Sequence, residues 1–188
     1  MRLLEDRSQL NAAFCSHQHT DEFELHGKVH LSEGSVALRL AILRREFVDA
    51  DAPGQPDDIH CVLMDWNLGD DSVATLVAFE DGTTSLYLST GGGIIGAGDH
   101  ANVREVAPAF RAAATGSREH FRSTQDFTPP PNKSSRFFLV TRTGTLATPI
   151  IANTDLQGDA HPLAPLATRA QVLIAEIRRS SEVSPRVR

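Results

Sequence analysis

Hydrophobic positions along the chain change period several times, and each change marks an element. Leu3, Leu10 and Phe14 fall on one side of a short helix over 1–14. Across 23–31, Phe23, Leu25, Gly27, Val29 and Leu31 alternate with Glu24, His26, Lys28 and His30, which is the period of a strand. Ser32, Glu33, Gly34 and Ser35 signal a turn. Residues 36–47 fit two periods. Val36, Leu38, Leu40 and Ile42 alternate as in a strand, while Val36, Leu40, Leu43 and Phe47 form a helical stripe; the length of the run and its Arg44, Arg45, Glu46 end lean towards a helix. The acidic stretch DADAPGQPDD at 49–58 reads as a linker and as the internal boundary.

Beyond the linker, His60–Trp66 reads as a short apolar strand and Asn67–Asp71 as a turn. Val73–Phe79 is apolar on both faces, as a central strand would be. Asp81-Gly82 predicts a tight primed turn, in which both residues take positive φ, and Thr84–Thr90 is the return strand. Residues 91–98, GGGIIGAG, form a Gly-rich loop. Val103, Val106, Ala107, Phe110 and Ala114 repeat at helical spacing, with Asn102 and Glu105 as a capping box, Asp99 as the alternative cap, and Gly116 as the stop. Pro108 should kink this helix. The long connection over 116–135, with Pro129, Pro130 and Pro131, is expected to pack across the sheet or contact a partner. Arg136–Arg142 and Thr145–Ile151 read as a second hairpin around Thr143-Gly144. Pro162 suits the first turn of a last helix, striped by Leu163, Leu166, Ala170, Leu173 and Ile177 and ending in Arg178 and Arg179.

The order from residue 60 is β-β-β-α-β-β-α. Hairpin-connected strands interrupted by helices predict an α+β, two-layer fold: an antiparallel sheet of about five or more strands with helices packed on it. The domain plan is an extension over 1–59, which could belong to the same domain, an α+β core over 60–179, and a frayed tail over 180–188. The element order is similar to that of profilin and roadblock-like modules. The runs MDWNLGD, DGTTSLYLSTGGGIIGAG and HPLAPL also resemble an uncharacterised bacterial protein family. The first resemblance implies a protein-binding role, and the second supplies no activity to carry over.

Charge narrows the function classes. Lys and Arg number 18 against 24 Asp and Glu, a net charge of −6, so a general nucleic-acid binder is not expected. Ten acidic residues and no Lys or Arg lie between Glu46 and Asp81, whereas Arg104–Arg142 holds seven basic residues against three acidic. No apolar run reaches the roughly 20 residues of a membrane helix, and the first ten residues carry Glu5 and Asp6 where a signal peptide is apolar. The expectation is a cytoplasmic protein with no membrane, nucleic-acid or cofactor partner. Cys15 and Cys61 are too few for a disulfide framework.

Three constellations could carry chemistry. Gly91-x-Gly93-x-x-Gly96, continued by Gly92, Gly98 and His100, could present backbone N–H groups to an anion or small ligand. The strand before it belongs to a hairpin, which argues against a dinucleotide fold. Cys15, His17 and His19 alternate and could converge on zinc, though no metal is the preferred reading. Asp65-x-Asn67-x-Gly69 resembles the start of a calcium loop, but Asp70 stands at the sixth position and Leu76 at the twelfth, so an acidic turn is preferred. Cys61 in its apolar strand reads as an inert thiol, and His100 and His161 as residues near helix starts.

No nucleophile–base motif is present. The leading expectation is therefore a non-catalytic protein-interaction module that forms a homodimer and could bind another protein. It would pair through edge strands Thr145–Ile151 or His60–Trp66 and through its oppositely charged segments. The alternative is a small-ligand or anion-binding protein, or a small enzyme, using loop 91–98 and His100.

Overall fold

The computed structural model describes residues 33–49, 54–69 and 72–183. The helix expected over 1–14, the strand over 23–31 and the Cys15, His17, His19 group lie outside the described residues. The ambiguous segment is a helix, α1 (Glu33–Leu43). Strands β1 (Ile59–Gly69), β2 (Ser72–Phe79) and β3 (Thr84–Leu88) form a meander, which two-residue β4 (Gly93–Ile94) extends. Helix α2 (Ala101–Gly116) follows, then β5 (Arg122–Ser123), β6 (Ser134–Thr141), β7 (Thr145–Ala147) and β8 (Ile151–Ala152), and finally α3 (Ala164–Val183). The sheet order is β4-β3-β2-β1-β6-β7-β5, with β8 beside β6, and every pairing is antiparallel. The fold is α+β.

One sheet face is closed by α2 and α3. Val62, Met64, Leu76, Leu86, Phe137 and Leu139 meet Val103, Ala107 and Phe110 of α2, and Leu166, Ala170, Leu173 and Ile177 of α3. The last-helix stripe is buried as its 3-4 spacing requires. Across part of the opposite face lies α1, where Leu38, Ile42 and Leu43 pack on Cys61, Leu63, Val77, Phe138 and Val140. Ser35 Oγ donates to Leu88 O at 2.9 Å, and Thr145 Oγ1 donates to Leu43 O at 2.8 Å, so both ends of α1 are pinned.

Several local expectations change. The β1 strand continues through Asp65 and Asn67 to Gly69, where an acidic turn was expected. It lies between β2 and β6, so His60–Trp66 is central, as burial on both faces dictates. Thr145–Ile151 is not an edge either: β7 stops at Ala147 and is flanked by β6 and β5. Among the described residues the sheet ends instead in β4 and β5, each two residues long, which leaves little edge to pair. The β2–β3 turn spans Glu80–Gly82. Gly82 takes φ +89°, but Asp81 does not take positive φ; its carboxylate instead accepts from Thr83 N–H at 2.8 Å and Thr83 Oγ1 at 3.0 Å. Asn102 is no cap: His100 holds that place without a side-chain bond, and the Asn102 amide donates to Glu176 Oε2 at 2.8 Å on α3.

Charges separated along the sequence meet within the chain. Arg118 pairs with Asp57 at 3.1 Å, and Arg142 Nη1 ties the same two segments by donating to the backbone carbonyl of Asp49 at 3.4 Å. Part of the charge asymmetry that suggested a second copy is thus used internally. Among the described residues no helix is long and apolar enough to cross a membrane.

Candidate ligand-binding site

Strand alternation sends Asp65 to the α1 side of the sheet, one residue from Met64 and Trp66 on the helix-covered side. Register then lines up four strands. Tyr87 on β3 sits opposite Thr75 on β2, Thr75 opposite Asp65 on β1, and Asp65 opposite Arg136 on β6. This polar rung crosses the middle of the sheet and is buried: Asp65 is 0% exposed, Tyr87 1% and Thr75 3%. A buried carboxylate needs a partner charge and filled lone pairs. Asp65 Oδ2 accepts from Arg39 Nε at 2.8 Å and from Arg39 Nη2, while Oδ1 accepts from Thr75 Oγ1 at 2.8 Å. Arg39 descends from α1 to reach it.

Segment 124–133 straps over this half of the face. Three consecutive prolines, Pro129 to Pro131, supply no N–H, so the strap cannot join the sheet ladder as a regular strand. Side chains hold its carbonyls instead. Arg39 Nη1 donates to Phe127 O at 2.7 Å, Asn67 Nδ2 to Pro130 O at 3.0 Å, and Arg136 Nη1 to Asp126 O at 3.1 Å and Asp126 Oδ2 at 2.9 Å. The Phe138 ring lies 5.7 Å from the Arg39 guanidinium carbon and 5.2 Å from that of Arg136, within cation–π range of both.

Between α1, the rung and the strap is a cavity of about 400 Å³. Its apolar wall is Val36, Leu40, Val73, Phe127 and Pro129; its polar groups come from Ser35, Arg39, Arg44, Thr75, Tyr87, Ser89, Gln125 and Thr128. Val36 and Leu40, assigned by their spacing to the core stripe, are half-buried and line this space.

Burial works against the Arg39 charge, but the adjacent Asp65 charge and hydrogen bond outweigh it and raise the Arg39 pKa. Burial, then the Asp65 charge, pushes the Tyr87 phenol well above its ordinary range, so it is a neutral O–H. That hydroxyl is buried with no hydrogen-bond partner among the described residues. Asp126 is held down to about 2 by hydrogen bonds from Thr128, then by Arg136. Burial raises the Cys61 thiol, as expected of an inert core cysteine.

The Gly-rich loop spends its backbone on the fold. Gly91 and Gly92 take φ +98° and +80° in the β3–β4 turn. Gly93 pairs with Tyr87 so closely that a Cβ would come within 2.6 Å of Leu86 O. Gly91 N–H donates to Leu88 O, Gly96 N–H to Ser85 Oγ, and His100 N–H to Ala97 O, so these amides already have partners. A Cβ on Gly98 would lie 2.1 Å from Gly82 O. Gly93 lines a separate apolar groove beside Trp66, Leu88 and Ile94. His161 Nδ1 accepts from Leu163 N–H at 3.1 Å, a helix-start role. Among the described residues no three His, Cys, Asp or Glu side chains are grouped to hold a metal.

Sequence reasoning missed Arg39, Thr75, Tyr87 and the role of Asp65. The available signals were single: one acid inside the apolar run VLMDW and one Arg inside ALRLAIL. Comparison with known protein families finds no match. Curated proteins and solved structures likewise yield no similar chain.

Proposed function

We propose that the protein is a small-ligand-binding module whose site is the cavity between α1, the polar rung and the strap. The observation that carries this reading is the Tyr87 hydroxyl. Strap anchoring accounts for Arg39, Arg136 and Asn67, and charge balance accounts for Asp65 and Thr75. Neither accounts for a buried phenol with no partner. Leaving such a donor unpaired costs about 1–3 kcal/mol, which a bound acceptor would recover. The volume of about 400 Å³ and the mostly apolar wall are those of ordinary ligand pockets. This moves the ligand-binding alternative away from loop 91–98 and His100. The reading as a homodimeric interaction module has lost its two edge strands and part of its charge argument.

Protein-observed NMR with a set of small organic molecules tests the proposal. Binders should shift resonances of Val36, Val73, Thr75 and Tyr87, and Leu40→Trp, which fills the cavity, should abolish the shifts. Saturable shifts confined to the groove beside Trp66, or none at millimolar concentrations, would sink it.

A further inference from the structure

The polar groups of the cavity are biased towards one kind of ligand. Two cationic side chains line it, Arg39 and Arg44, and no lining residue is a carboxylate, although the chain carries a net charge of −6. Asp65 stands behind the wall with both oxygens filled, so it balances Arg39 without meeting a ligand. A guanidinium has five N–H groups. Arg39 commits three of them, to Asp65 twice and to Phe127 O, and two remain. Arg44 is exposed, and among the described residues it makes no side-chain hydrogen bond or ion pair. The uncommitted donors are thus the Tyr87 hydroxyl, two N–H groups of Arg39, and Arg44.

We propose that the occupant of this cavity is a small organic acid, one carboxylate on an apolar body, with its head on Tyr87 and Arg39 and its charge shared with Arg44. The inference rests on the binding reading above and names the ligand class of that site. A carboxylate has two oxygens that a phenol and a guanidinium satisfy together, and hydrogen bonds from a cation to a carboxylate are the strong ones. A phosphate would bring a second negative charge, and a strongly hydrated head, against a wall of Val36, Leu40 and Phe127. An amine would meet two arginines.

Titration calorimetry of the full chain with octanoate, octanamide and octylamine separates these classes, since the three share one apolar body. Octanoate should bind about tenfold or more tighter than octanamide, the gain of one charge-assisted contact, and octylamine should not bind. Arg44→Gln should weaken octanoate severalfold and leave octanamide unchanged. Tyr87→Phe should weaken both acyl probes, and Leu40→Trp provides the same check if Tyr87→Phe unfolds. Octanamide binding as tightly as octanoate, with both sensitive to Tyr87→Phe or Leu40→Trp, would overturn the acid while the cavity stands as a binding site. Absence of binding by both acyl probes, or binding insensitive to both variants, would overturn the acid and the binding reading together.

Discussion

The two faces of the sheet are built from alternate residues of the same strands, and they solve burial differently. On the α2–α3 side one rung reads Leu86, Leu76, Met64, Phe137, all apolar. On the α1 side the adjacent rung reads Tyr87, Thr75, Asp65, Arg136. Both are buried. The first needs only shape and volume, whereas the second needs named partners for every polar atom. It finds them for all but the Tyr87 hydroxyl. The apolar rung is therefore scaffold alone, whereas the polar rung, set beside the apolar cluster of Leu63, Val77 and Phe138 on its own face, borders the proposed site.

The largest expected effect separates a broken pair from an absent one. Asp65→Ala leaves Arg39 buried and unpaired and should cost about 3–5 kcal/mol. Replacing both partners, Arg39→Met with Asp65→Leu, should recover most of that loss, because a buried ion pair is no more stabilising than well-packed apolar residues. The control is Leu76→Ala on the other face, at about 2–5 kcal/mol with no second-site rescue. Urea denaturation midpoints decide the outcome. If the double variant is as unstable as Asp65→Ala, the rung is part of the scaffold after all. Because the double variant also removes Arg39, it should fold and lose octanoate binding.

The same contrast explains what could be read from the chain. Faces built on shape announce themselves by pattern: the stripe Leu163 to Ile177 and the near-continuous apolar run of β2 led to the right helix, strand and fold class. The polar rung has no period, because its partners are 26 residues apart for Arg39–Asp65 and 88 for Arg39–Phe127. Such pairings exist only once strand register is set. Asp65 and Asn67 therefore read as a turn, which is their commonest local use, until remote donors and acceptors make a strand affordable for them. The glycines carry the opposite signal, a regular spacing with local structural uses. Their spacing suggested a ligand loop; Gly93 and Gly98 make close approaches to Leu86, Tyr87 and Gly82 of the chain itself, while nothing lies within 4 Å of a Cβ on Gly92 or Gly96.

That last point can be broken by mutation. Gly98→Ala places a methyl 2.1 Å from Gly82 O, so backbone must shift, at about 1–3 kcal/mol. It should leave ligand affinity unchanged at temperatures where the variant is folded. Affinity loss without stability loss would return the loop to the site. Gly82→Val should cost less, on the order of 1 kcal/mol or more, because φ +89° strains valine while nothing lies within 4 Å of the new Cβ. An unchanged melting temperature would show that this turn tolerates its strain.

The smallest effect tests the strap. Asp126 is bound by Arg136 at 2.9 Å and by Thr128 N–H at 3.0 Å, yet its side chain is 59% exposed, unlike Asp65. Solvent screening limits such a pair to about 1 kcal/mol or less, so Asp126→Asn should barely move the global melting temperature. It should speed hydrogen exchange at Phe127 and Thr128, because the Arg136 clamp weakens while the Arg39–Phe127 O bond remains. The sign with pH follows from the depressed pKa. The carboxylate titrates near 3.8 when unfolded and about 2 when folded, so its contribution is complete above the first value and disappears as pH falls through the second. The difference between wild type and Asp126→Asn should therefore be constant from neutral pH down to about 5 and vanish towards pH 2. A difference as large at pH 2 as at neutral pH would mean that the ion pair is not what holds this part of the strap. A global loss as large as that of Asp65→Ala would mean that the strap belongs to the core, and that the cavity beneath it does not open by strap movement alone.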